Sequence, residues 1–145
     1  MFVTETQVRV HYALTDQMGF VYYGNYPQFY EIGRNEAIRS LGFTYKDIEA
    51  MGIITPVDLH IRYLRPARYD DLLTIRTMLK QMPEDHKVVF HTDIYNQQDE
   101  WLNSGNTTLL FLDGRSHQKT TMPAELRNRL QPYFGSPTAG ASEKS

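Results

Sequence analysis

One stretch of the chain gathers the residues whose types and spacing suit chemistry: Thr15-Asp16-Gln17-Met18-Gly19-Phe20-Val21-Tyr22-Tyr23-Gly24-Asn25-Tyr26. Asp16 supplies a carboxylate in a loop. A helix is expected right behind it, because Asn25 is a good N-cap and Gln28, three residues later, completes a capping-box pattern. Pro27 falls in the first turn, where its missing N–H costs little. Free N–H groups at a helix start point outward and favour negative charge. A carbonyl docked there would have its developing oxyanion stabilised, while a nearby carboxylate attacks the carbonyl carbon or activates water. Gly19 and Gly24 let the backbone turn tightly and approach a ligand. By residue type alone, Asp16 is equally a turn-former, and Tyr22, Tyr23 and Tyr26 are equally packing residues. Spacing does not decide between these readings.

Other machineries drop out. The chain has no cysteine, which removes disulfides, thiolate metal sites and cysteine nucleophiles. It contains no G-x-S-x-G elbow, no P-loop and no G-x-G-x-x-G. Its five histidines, His11, His60, His86, His91 and His117, show no H-x-H or H-x-x-x-H spacing, so no metal site is expected. Fifteen Lys and Arg against seventeen Asp and Glu leave a net charge of −2, too balanced for a nucleic-acid surface. No stretch approaches the ~18 apolar residues of a membrane span. No basic-then-apolar leader is visible at Met1, so a soluble cytoplasmic protein is expected.

The elements that must position this loop can be read from periodicity. The alternation of Val8, Val10 and Tyr12 predicts a strand ending near Leu14. Tyr26, Phe29, Tyr30, Gly33, Ala37 and Leu41 share one face of a helix from about Tyr26 to Leu41, with Gly42 just past its end. Gly33 and Ala37 would let a sheet come close. A short second helix is predicted over 44–51. Period-two alternation then marks strands over 57–63, 73–79, 88–95 and 101–112, with Gly105 a candidate bulge. Pro66 to Asp71, Pro83 to His86 and Asn96 to Asp99 carry turn chemistry. Short loops between the last four strands favour an antiparallel meander. Pro123 opens a last helix with Leu126 and Leu130 one turn apart, and residues 135–145 read as a flexible tail. A chain of 145 residues, 41% hydrophobic and 22% charged, suits one domain, here over 1–134. Physics alone gives an α+β architecture, an antiparallel sheet of five to six strands wrapped around one long central helix.

The segment from Val8 to Tyr26 resembles the signature of hot-dog-fold acyl-CoA thioesterases of the 4-hydroxybenzoyl-CoA thioesterase type. That signature is a strand, then T-D-x-x-G-x-V-x-x-x-N-Y, then a helix with E-x-x-R, matched here by Glu31 and Arg34. A second stretch, Ile61 to Leu73, resembles the family's R-P-A-x-x-D-D segment. The resemblance spans roughly residues 6 to 134. It implies a hot-dog fold, hydrolysis of an acyl-CoA or acyl-carrier thioester, and Asp16 as catalytic aspartate. It implies that the Tyr23 backbone N–H polarises the carbonyl, and that Gly19 and Tyr26 help bind substrate. Tyr23 departs from the family's frequent His, but the work there belongs to the backbone. Phe20 replaces a smaller apolar residue, which narrows the acyl tunnel. The resemblance implies no cofactor and a homodimer or homotetramer built by edge-to-edge sheet pairing. Arg62, Arg65, Arg68 and Lys87 are candidate CoA-phosphate contacts by charge alone. Two other readings stay open: a hot-dog dehydratase, disfavoured because no histidine lies in the Asp16 to Tyr26 segment, and a non-catalytic thioester-binding module.

Overall fold

The computed structural model describes residues 1–135, so the tail expected over 135–145 lies outside the described residues from 136 onward. In chain order the elements are β1 (Phe2–Arg9), 3-10 turns at Tyr12–Leu14 and Tyr23–Asn25, α1 (Tyr26–Ser40), α2 (Tyr45–Met51), β2 (Ile53–Tyr63), β3 (Leu72–Leu79), β4 (Lys87–Tyr95), β5 (Trp101–Leu112) and α3 (Ala124–Phe134). The strands form one five-stranded antiparallel sheet in the order β1-β3-β4-β5-β2. The apolar face of α1 lies on it, burying Tyr26, Phe29, Tyr30, Gly33 and Ala37 as their spacing requires.

Strand alternation decides which side faces the helix. Thr77, Thr92, Gly105 and Ile61 form one row across β3, β4, β5 and β2, and Ile75, Ile94, Asn103 and Tyr63 form the next inner row. The core divides at these rows. One apolar cluster, including Phe2, Leu41, Phe90, Phe111 and Leu130, fills the end near the α1 C-terminus. Another, including Val10, Val21, Tyr26, Phe29 and Leu73, fills the end near its N-terminus. Between them sit the buried polar residues Thr77, Thr92, Thr107 and Asn103. Asn103 accepts a hydrogen bond from the Tyr30 hydroxyl. Gly33 brings α1 against this belt: a methyl there would overlap Thr77 Oγ1 and come within 2.8 Å of Ile75.

Four expectations change. The meander forms for β3, β4 and β5, but β2 pairs with β5 at the far edge of the sheet. The link from Tyr63 to Leu72 must then cross about three strand spacings, roughly 14 Å, which its residues can span at ~3.3 Å each. It crosses as a bonded strap, with Leu64 and Arg65 N–H on Leu102 O (2.9 and 3.0 Å) and Asp71 O accepting from Val10 N–H (2.9 Å). The first strand ends at Arg9 rather than near Leu14, because Val10 bonds to this strap and the chain then turns, leaving Tyr12 exposed. Gly105 is no bulge: it pairs in register with Ile61 and Thr92, and the shifts lie at Pro56/Asp58 and Ile94/Tyr95. Its missing side chain instead makes room for two neighbours: a Cβ there would overlap the His60 carbonyl oxygen of β2 and meet the Tyr30 ring at 3.0 Å.

The fourth change concerns Asn25. It does not cap α1. A 3-10 turn precedes the helix, so Asn25 already has helical dihedrals (φ −91°, ψ −9°), which do not present its side chain to the helix N–H groups. Its amide donates to Leu14 O at 2.9 Å instead. The capping box forms at α2, where Thr44 and Asp47 bond reciprocally.

Candidate active site

The loop before α1 folds as a small hairpin. Asp16 N–H donates to Phe20 O (2.8 Å), Gly19 N–H to Asp16 O (3.0 Å) and Tyr22 N–H to Leu14 O (2.9 Å). Gly19 closes the tip with φ +80°, a conformation that costs a side-chain-bearing residue about 1–2 kcal/mol. Asp16 stands at that tip, exposed to solvent. Its Oδ1 accepts from Met18 N–H at 2.9 Å, which fixes the side chain. Among the described residues no hydrogen bond reaches Oδ2, so one carboxylate oxygen is held and the other is open.

The second arm of the hairpin runs into the turn Tyr23–Asn25 and on into α1. Asn25 N–H closes that turn on Tyr22 O at 2.9 Å. The N–H groups of Tyr23 and Gly24 stand at its start, with no carbonyl of the turn behind them. Because the Asn25 amide is tied to Leu14, its side chain makes no capping bond to this end of the helix. The result is a free carboxylate oxygen and uncapped peptide donors on one short hairpin.

The strap between β2 and β3 braces the hairpin from below. Val21 N–H donates to Ala67 O at 2.8 Å, and Phe20 bridges to Arg68. Tyr26 is buried beneath the turn, its hydroxyl accepting from Ala67 N–H at 3.2 Å. Burial holds the Tyr26 phenol above its ordinary value, so it stays neutral. Of the predicted site residues, Asp16, Gly19 and Tyr23 line the exposed hairpin, while Tyr26 supports it from inside.

Sequence reasoning missed Tyr63. It ends β2, and its hydroxyl donates to Tyr23 O at 3.0 Å. Its ring meets those of Tyr23 and Tyr26 edge-on at 6.4 and 5.3 Å. The only sequence signal was its inward phase in β2, which carries no hint of a contact forty residues away. Gly24 was read as a turn residue; a Cβ there would meet the Tyr22 ring at 2.6 Å. The candidate phosphate contacts divide. Arg68 lies over the Phe20 ring, 4.9 Å from its centroid, beside the hairpin. Arg65 is paired with Glu100 at 3.1 Å. Arg62 is in the outer row with Ser104, and Lys87 opens β4 at the other end of the sheet. Among the described residues no cluster of His, Asp and Glu could hold a metal, and no helix is long and apolar enough to cross a membrane.

Comparison with known proteins adds four findings. Residues 18–100 match the sequence profile of the thioesterase superfamily. The chain is 35% identical over 117 residues to the putative acyl-CoA thioesterase YneP of Bacillus subtilis (strain 168), covering 80% of this chain and 84% of that protein. It is 31% identical over 120 residues to the acyl-CoA thioester hydrolase YbgC of Escherichia coli O6:H1, covering 82% and 89%. Among solved structures, a DHNA-CoA thioesterase from Staphylococcus aureus superposes with a TM-score of 0.78 at 27% identity, over 99% of this chain and 91% of that one.

Proposed function

This chain belongs to the thioesterase superfamily, as a thioester hydrolase of hot-dog fold, and from that premise we propose that it hydrolyses acyl-CoA thioesters with Asp16 as its catalytic carboxylate. The observation that carries the assignment is the shared hairpin: an open Asp16 oxygen at one end and uncapped Tyr23 and Gly24 N–H groups at the other.

In this reading the thioester oxygen docks on the Tyr23 N–H. As the carbonyl carbon becomes tetrahedral, negative charge gathers on that oxygen, and a preset donor stabilises it by about 2.7–4 kcal/mol. Asp16 acts by one of two routes. As nucleophile, its oxygen bonds the carbonyl carbon and expels the thiolate; water then cleaves the mixed anhydride, giving the acid and restoring Asp16. As base, it takes a proton from water as that water attacks, and the proton passes to the leaving thiolate. Both give free acid and thiol. Gly19 shapes the turn that presents Asp16, and Tyr26 holds the floor of the site.

The working unit in this proposal is a homodimer. Among the described residues, β2 has a partner strand on one side only, and Val57, Leu59 and Tyr63 are exposed along it. A second copy paired there would cover that edge and lie beside Tyr63 and the Asp16 hairpin. The cytoplasm, where CoA thioesters are formed and consumed, is its proposed setting.

A panel of aromatic, short-chain and long-chain acyl-CoA thioesters, read by free-thiol release, tests the activity. Turnover of at least one acyl class is expected. Binding of thioesters with no thiol released from any of them would replace the hydrolase with a binding module.

A further inference from the structure

We propose that Tyr63 is a positioning residue for this reaction: its hydroxyl clamps the Tyr23–Gly24 peptide, aiming the oxyanion donors. The inference rests on the reading of Asp16 and the Tyr23 turn given above, and adds the part that holds the turn in place.

The turn needs an outside hold. It is three residues long and closed by one bond, Asn25 N–H to Tyr22 O. The residue that should cap the helix is spent on Leu14. Tyr63 supplies the missing tether from the opposite wall, with its hydroxyl 3.0 Å from Tyr23 O. In a trans peptide, C=O and N–H point in opposite directions, and the chain has no cis peptide among its described residues. Fixing the Tyr23 carbonyl therefore fixes the direction of Gly24 N–H, which shares its plane, and restrains Tyr23 N–H, in the preceding peptide, through the Tyr23 φ and ψ angles. A hydrogen bond accepted at the carbonyl also polarises the peptide and makes its N–H a better donor.

Tyr63 is itself well held. Its ring stands edge-on to buried Tyr26 at 5.3 Å and to Tyr23 at 6.4 Å. Its backbone pairs with Asn103 at the end of β2. Partial desolvation, with the neighbouring Tyr23 phenol, raises the Tyr63 phenol above its ordinary value and favours its neutral O–H form. Gly24 completes the arrangement, because Tyr22 occupies the space a side chain would need. Tyr63 touches the turn, not the reacting atoms.

The test is Tyr63→Phe, which keeps the ring and removes the hydroxyl, assayed beside Asp16→Asn and Tyr69→Phe on an acyl-CoA that the wild type hydrolyses. Losing one such bond predicts a kcat lower by about three- to tenfold, with KM unchanged and the native fold kept. Tyr69→Phe, at an exposed tyrosine on the strap, should match the wild type. A wild-type kcat in Tyr63→Phe would overturn the inference, as would a raised KM with kcat intact, since Tyr63 would then bind substrate rather than hold the turn. Wild-type turnover in Asp16→Asn would instead overturn the underlying reading. An inactive Asp16→Asn beside a fully active Tyr63→Phe would remove the clamp alone.

Discussion

Asp16 illustrates how little of a site is chemistry and how much is presentation. The carboxylate proposed as catalytic stands on a turn whose own N–H group, on Met18, holds one oxygen and leaves the other open. The same economy appears at Asn25, whose type suggests a cap but whose dihedrals and bond to Leu14 leave the helix end uncapped. The motif was legible because Asp16, Gly19, Tyr23 and Asn25 are neighbours in sequence. Tyr63 was not, because its contact depends on where β2 lands. Deep in the core, Tyr30 and Asn103 form a second residue-scale feature. Asn103 is fully buried, its Oδ1 is bonded by Tyr30, and its Nδ2 has no partner among the described residues. Tyr30→Phe would leave the whole amide unpaired, which costs about 1–3 kcal/mol. A denaturant midpoint that falls with an unchanged slope would report it; an unmoved midpoint would mean water or a shifted rotamer pairs the amide.

Among the elements, α1 was readable almost whole. One apolar stripe, a proline in the first turn and Gly42 after the end set its length within a residue or two. The turns before β3, β4 and β5 were equally plain, and the structure places Asp70, Asp85 and Asp99 there with φ of 67°, 58° and 60°, a region that, after glycine, asparagine and aspartate tolerate best. Strand order was not readable, since alternation gives a strand its two faces but not its neighbours. Nor was the reason for Gly105, which depends on the His60 carbonyl of β2 and the Tyr30 ring from the helix both crowding it. Gly33 was read correctly as a close approach. Replacing it with alanine sets two effects against each other. Helix propensity gains about 1 kcal/mol, and overpacking against Thr77 and Ile75 costs about 1–3 kcal/mol. The second wins where neither neighbour can move, so Gly33→Ala should lower the thermal midpoint despite being the better helix former.

At the scale of the whole molecule, the sheet wraps the helix and, among the described residues, its edge strands β1 and β2 each have a partner strand on one side only. Exposed apolar residues on an open edge invite pairing with another strand. Leu59 is 40% exposed in the single chain, so a charge there should cost the isolated fold little. In a paired dimer it would put an ammonium into the seam. Leu59→Lys should therefore shift the mass in light scattering from two chains to one while the circular dichroism stays native. A monomeric wild type would contradict edge pairing. Because β2 also carries Tyr63, a loosened edge should lower turnover along with the mass.

Steady-state hydrolysis by Asp16→Asn tests the proposed role of Asp16 most directly. Asparagine keeps the shape and the acceptor oxygen for Met18 N–H but can serve neither as nucleophile nor as base. A kcat lower by about 100-fold or more is expected, with the fold and substrate affinity kept. Turnover near the wild-type rate would take Asp16 out of the mechanism.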